Sequence, residues 1–187
     1  MANKDSAFGL RPIGKVGQNR DNQGLSEYDI AASASAIYQN DPVEMAATGT
    51  ITVAAATDTL LGSLTGVFFT DASTSKPTFA NHLKGSNTAT DIKGFVSDDP
   101  YERFEIQSDG ATAAADVGLN ADIVYASGAS PNFVSKVELD HSDLKTATAQ
   151  LRVLAISKDI ENNEAGSANV NLVTMINEHF LKGTTGI

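Results

Sequence analysis

Short segments rich in branched and aromatic residues recur along this chain at roughly 8- to 15-residue spacing, each closed by Gly, Asp or Asn. Branched and aromatic side chains favour the pleated strand. No long segment has the 3.6-residue apolar period with end signals that predicts a helix. The pattern therefore predicts an all-β fold, an antiparallel β-barrel or sandwich of the jelly-roll or β-tulip kind with long loops.

The first 24 residues differ from the rest. They contain several glycines and four cations against two carboxylates, a net charge of +2, whereas the whole 187-residue chain carries −10. We expect an extended N-terminal arm over 1–24 and a single β-rich domain over 25–187. The arm is either a loosely ordered terminus or a segment that orders on a partner or a neighbouring subunit. Its candidate contact residues are Phe8, Leu10, Arg11, Pro12, Ile13 and Lys15.

Within the domain, charge and polarity distinguish the centre from the loops. Segment 43–70 carries only Glu44 and Asp58 as charged residues and is predicted to be the buried centre. The polar segment 71–91 is predicted to be a long loop that Phe79 and Leu83 attach to the body. Two shorter assignments complete the prediction. The Ala-rich 112–118 is expected to form a helical turn. Segment 168–181 begins as a strand and either continues as one or closes as a short helix, with strand preferred because Asn and branched residues disfavour helix.

Composition excludes several classes of partner. An acidic chain is repelled by phosphates and by anionic membranes, so we expect no nucleic acid and no membrane partner. There is no signal-peptide pattern and no apolar run of about 18 residues, which predicts a soluble protein synthesised in a cytoplasm. Without cysteine there is no disulfide, no thiolate chemistry and no Cys-based zinc site.

The acidic stretch 98–110 is the strongest candidate for chemistry. Its carboxylates could bind a divalent metal or act as acid and base: Asp98, Asp99, Glu102, Glu105 and Asp109. Read as a strand, however, it directs Phe104 and Ile106 to the core and Glu105 to solvent beside Arg103. The acidic groups then lie along a strand about 25 Å long, whereas paired catalytic carboxylates need roughly 5 to 10 Å. We therefore expect turn, strand, turn. A metal remains an alternative if Asp98, Asp99 and Asp109 of symmetry-related subunits converge.

Other motifs indicate no reaction and no cofactor. The calcium-loop candidate 159–170 has Glu164 where Gly is needed and Val170 where Glu is needed, so a hairpin turn explains it better. No nucleotide-binding loop or nucleophile elbow occurs. Nor do the histidines form a metal-binding pair; they are His82, His141 and His179. We expect a protein that is not an enzyme.

Five pieces of the chain resemble one group of proteins in the same order. They are the opening "MANKDSAFGLRPIG", then "EYDIA", "IYQNDPV", "DDPYERFEIQ" and "INEHF". The group resembled is that of capsid cement proteins, also called decoration or head-stabilising proteins, of tailed bacteriophages. Together the pieces span nearly the full length, although 71–91 and 111–117 have no counterpart in the resemblance.

The resemblance implies a function. Such proteins are small, β-rich and often homotrimeric, and they coat the outer surface of the capsid. The implied partner is the major capsid protein, and the implied role is to stabilise the virion by bridging neighbouring capsomers. The resemblance carries no site residues. An alternative is a β-sandwich binding module, such as a head-fibre base or host-glycan adhesin. The absence of Trp and the presence of only four Tyr disfavour a glycan site built on stacked aromatics.

Overall fold

The computed structural model describes residues 2–17, 24–183 and 186 and is built almost entirely from antiparallel strands. The strands are, in chain order, β1 (Arg11–Lys15), β2 (Ser26–Asp29), β3 (Pro42–Met45), β4 (Ile51–Val53), β5 (Leu60–Thr70), β6 (Pro77–Ala80), β7 (Lys93–Ser97), β8 (Glu102–Gln107), β9 (Asn120–Ala121), β10 (Ile123–Val124), β11 (Glu138–Leu139), β12 (Leu151–Ile156) and β13 (Asn171–Ile176).

The strands form two large sheets and one small one. The five-stranded sheet has the order β1-β8-β13-β12-β9, and the larger sheet has the order β2-β7-β5-β3-β4 with β6 paired to β5. Strands β10 and β11 form a separate pair. The sheets are open and pack together, which confirms the predicted all-β antiparallel fold as a sandwich and not as a closed barrel. No helix in the described part of the chain is long and apolar enough to cross a membrane.

Strand β5 separates two hydrophobic cores. Leu60 belongs to the core over the five-stranded sheet, and Leu61 belongs to the core under the larger sheet. Both are fully buried because successive side chains of a strand point to opposite faces and each face has a core of its own. A strand buried on both faces loses the polar alternation, as the run "LLGSL" illustrates. The predicted buried centre is therefore correct along the first half of β5.

The N-terminal segment is built into the domain as far as Lys15. Strand β1 is an edge strand of the five-stranded sheet and pairs with β8. Leu10, immediately before it, is fully buried in the core of that sheet. Within the expected arm over 1–24, therefore, β1 and Leu10 supply strand pairing and core to the expected domain over 25–187. Residues 18–23 lie outside the described residues.

The segment predicted to be a long loop contains a strand. Residues 77–80 form β6, paired with β5, and Leu83 is fully buried as predicted. Phe79, the second predicted attachment point, is instead 73% exposed. The helical turn expected in 112–118 is a short 3-10 helix, Ala114–Asp116. Segment 168–181 forms strand β13 and then closes with the start of a 3-10 helix, Phe180–Lys182.

Candidate attachment site

The acidic stretch forms strand β8, between β1 and β13. Phe104 and Ile106 are buried in the core, as predicted. Glu105, predicted to face solvent, is only 6% exposed. Its carboxylate accepts hydrogen bonds from the Arg11 guanidinium on one side and from the Ser157 hydroxyl on the other. The prediction was wrong because β8 is an inner strand whose outer face is covered by neighbouring side chains.

The remaining carboxylates of the stretch have separate partners. Asp98 accepts hydrogen bonds from the Tyr28 hydroxyl at 2.6 Å and from the Ser26 hydroxyl at 2.9 Å. Asp99 forms a 2.5 Å ion pair with Lys15, and this hydrogen bond lowers the pKa of the Asp99 carboxyl group. Asp109 accepts from the backbone N–H of His141 at 2.8 Å. Glu102 accepts from the backbone N–H of Gly14 at 3.1 Å. Each of these carboxylates thus makes a structural contact of its own.

The histidines are equally dispersed. The His82 ring stacks on Phe133 with centroids 4.0 Å apart. His179 is 2% exposed, its Nδ1 accepts from the Leu181 N–H at 3.1 Å, and burial lowers its pKa to about 4. Among residues 2–17, 24–183 and 186, no three His, Asp or Glu side chains are grouped so that they could hold a metal ion.

The predicted hairpin turn at 159–170 holds the N-terminus. Within it Asn162, which is 5% exposed, accepts from the Lys4 N–H at 2.9 Å and donates to the Lys4 carbonyl at 2.8 Å. Asn3 donates from its side-chain amide to the carbonyls of Glu164 and Ala168 at 3.1 and 3.0 Å. This turn therefore holds Asn3 and Lys4 against the body of the protein, a role that the comparison with a calcium loop did not indicate.

Gln107, at the end of β8, is a second N-terminal anchor that sequence reasoning missed. It is fully buried, and its side-chain amide accepts from the Ser6 N–H at 2.9 Å and donates to the Lys4 carbonyl at 3.0 Å. A buried amide satisfied on both sides holds two backbone groups that would otherwise bond to water. Its position next to the alternating core residues of β8 carries no sequence signal for this role.

The six predicted arm residues do not share one environment. Leu10 lies in the core, Pro12 faces Phe104 across the β1–β8 pair, and Lys15 binds Asp99. The others are more accessible: the Arg11 guanidinium lies 4.4 Å from the centre of the half-buried Phe8 ring, and Ile13 is 43% exposed. Because Leu10 is fully buried, the six residues cannot all contact a partner directly.

The outer face of the five-stranded sheet carries a concentration of cations. Across it, register places Arg103 opposite Met175, Met175 opposite Arg152, and Arg152 opposite Asn120, so these side chains form one row on one face. The next row contains Arg11, Glu105, Val173 and Ala155. Lys15 and Lys158 border this surface. We call it the cationic face, defined by Arg11, Arg103 and Arg152 on the sheet and by Lys15 and Lys158 at its border.

A shallow groove of about 930 Å³ crosses the cationic face. Its apolar lining includes the exposed Ile13 and Val16 and the half-buried Leu154 and Val173. Ala155 is exposed there because a bulge between Val153 and Ala155 interrupts the strict alternation of side chains along β12. The groove thus combines aliphatic surface with cationic borders.

A separate aromatic cluster lies on the larger sheet. Phe79 of β6 stacks on Phe95 of β7 with centroids 5.8 Å apart and contacts Phe68 of β5 at 4.9 Å. Gly66, opposite Phe95 in the register, places no side chain beside the rings. With Phe79 73% exposed, this cluster is an apolar surface feature that the predicted loop at 71–91 did not suggest.

Comparison of the chain with protein-family models, with curated proteins and with solved structures finds no match.

Proposed function

We propose that this protein is a bacteriophage capsid decoration protein, a structural virion protein that binds the outside of the assembled shell and stabilises it by bridging neighbouring capsomers. Its partner is the major capsid protein, its location is the outer surface of the virion, and it acts as a homo-oligomer, with a trimer favoured. The proposal assigns no catalytic step, no cofactor and no nucleic-acid partner. It rests on the resemblance together with the arrangement of the segments that carry it.

The observation that carries the proposal is that four of the five resembling segments bond to one another in the fold. The N-terminal piece donates from Leu10 N–H to the Asn40 carbonyl of "IYQNDPV" at 2.8 Å. Its strand β1 pairs with β8, which contains most of "DDPYERFEIQ". The "EYDIA" piece contributes Tyr28, whose hydroxyl donates to Asp98. Short pieces dispersed in sequence but joined in space are what a shared fold requires.

The physical character of the molecule suits this role. A protein that binds only the assembled lattice stabilises it by mass action, without any catalytic site. Many weak contacts repeated by symmetry give high avidity. A net charge of −10 keeps a protein soluble at the high local density of a coated particle.

The test uses shells of the phage that encodes the chain, prepared without this protein. We expect saturable cosedimentation with assembled shells, none with unassembled major capsid protein, and added density on the outside of the shell in cryo-EM maps. The thermal transition of the coated shells should lie above that of bare shells. Absence of binding to assembled shells at about 10 µM protein, well above a micromolar dissociation constant, would refute the proposal.

The aromatic cluster favours one second candidate, a binding module such as a head-fibre base or glycan adhesin. Exposed aromatic rings are the surfaces on which apolar ligand faces pack. A glycan array with the wild-type protein and with Phe79→Ala distinguishes the two functions. Binding that depends on Phe79, together with no binding to shells, would favour the module over the decoration protein.

A further inference from the structure

We propose that the cationic face is the surface by which this protein attaches to the shell, and that it recognises an acidic, partly aliphatic polypeptide surface there. The inference rests on the proposed function and adds to it the contact surface and the chemistry of the partner. It follows from the charge of this face, from the exposure and packing of its side chains, and from its size.

The cationic face concentrates positive charge. Of the chain's 13 Lys and Arg residues, three lie on this sheet face and two more border it, in a protein whose net charge is −10. Three of these cations have no carboxylate within ion-pair distance among the described residues; they are Arg103, Arg152 and Lys158. Nearby, Glu105 pairs with Arg11 and Asp99 pairs with Lys15, whereas Asp159 at the end of the face keeps its negative charge, because its partner at 3.2 Å is the neutral amide of Asn171. The three cations without an ion pair exceed this one carboxylate. Charge complementarity therefore selects an acidic partner.

The exposed cations of this face lie among aliphatic side chains. Arg152, Lys158 and Ala155 are exposed, and the half-buried Val173 and Leu154 lie among them. Arg103 and Arg152 flank Met175 from adjacent strands, which places their Cα atoms about 10 Å apart at roughly 4.8 Å per strand. Aliphatic surface between cations matches a polypeptide that presents carboxylates around apolar residues better than it matches a free anion.

The cationic face is small, and its size favours the shell over a second copy of this chain as the partner. Five strands at about 4.8 Å spacing and about 18 Å of strand length give a flat area of about 430 Å². A stable two-protein interface buries about 800 Å² on each partner. A contact of half that size is weak in solution, but it becomes sufficient when symmetry repeats it across a lattice.

The experiment compares Arg152→Glu/Lys158→Glu with the matched control Lys76→Glu/Lys84→Glu. Both double variants reverse two exposed cations, but Lys76 and Lys84 lie outside the cationic face. We expect the first variant to bind shells at least about tenfold more weakly than wild type and the control to bind within about twofold. Raising the salt concentration should weaken wild-type binding and reduce the difference, since exposed charges are screened within about 10 Å at 0.1 M. Circular dichroism and thermal melting verify that both variants are folded.

The possible results separate this inference from the proposed function. If wild type binds shells and Arg152→Glu/Lys158→Glu binds equally well, the attachment surface is wrong and the function stands. If wild type does not bind shells, the proposed function itself is wrong. Sedimentation without shells supplies the third outcome: if wild type forms an oligomer that only this variant dissociates, the face joins copies of the chain, and the inference is overturned.

Discussion

Asp41 provides a quantitative test of how this fold treats a buried charge. It is fully buried before β3, and burial raises the pKa of its carboxyl group from 3.8 to about 6. A 2.7 Å hydrogen bond from the Tyr38 N–H opposes the rise. Because the folded pKa lies above the unfolded one, protonation favours folding. That stabilisation is fully present below about pH 4 and is lost as the pH rises through 6. A shift of about two units corresponds to about 3 kcal/mol.

The perturbation is Asp41→Asn, which has a similar size and no charge at any pH. The free energy of unfolding of the variant minus that of wild type should be largest at about pH 8. It should be smaller by about 2 kcal/mol at about pH 4.5, where the Asp41 carboxylate of wild type has gained its proton. Urea unfolding followed by circular dichroism is the suitable assay, since the chain has no Trp. A difference between variant and wild type that stays constant over this pH range would refute the reasoning.

His179 provides the control of opposite sign. Burial lowers its pKa from 6.5 to about 4, so its contribution to stability is complete above about pH 6.5 and is lost as the pH falls through 4. The free energy of unfolding of His179→Gln relative to wild type should therefore rise as the pH falls. Burial also raises the pKa values of Glu102 and Glu138, but these groups titrate in every variant and cancel from the differences. If the relative free energies of unfolding of Asp41→Asn and His179→Gln changed in the same direction as the pH falls, the assignment would be contradicted.

Two further predictions test how the N-terminal segment is held. Gly9 and Gly49 both have φ near +75°, but a Cβ on Gly9 would lie 2.4 Å from the Asn40 carbonyl oxygen, whereas one on Gly49 would meet nothing within 4 Å. Gly49→Ala should cost about 1 kcal/mol of unfolding free energy from backbone strain, and Gly9→Ala at least about 2 kcal/mol more; equal losses in urea unfolding would refute the steric argument. Gln107→Leu should speed hydrogen exchange at the Ser6 N–H and cost about 1 to 3 kcal/mol, and unchanged protection at Ser6 would show that this anchor is unimportant.

The predictions that succeeded came from local patterns. Alternation around Phe104 and Ile106 correctly indicated a strand with its apolar face in the core, and the apolar run of β5 correctly indicated a buried centre. Such patterns are legible because side chains alternate along any strand, whatever it packs against. The same reasoning failed at Glu105, where the outer face of β8 is covered by residues 94 positions earlier and 52 positions later.

By itself the sequence determined the β class, the turn positions and the acidic net charge, since each depends on composition or on neighbours a few residues apart. Only the tertiary structure decided that residues 2–15 belong to the body, because their anchors Asn162 and Gln107 are more than 100 positions away. It alone also assembled the cationic face. Arg11, Arg103 and Arg152 are separated widely along the chain, and strand register is the long-range information that places them side by side.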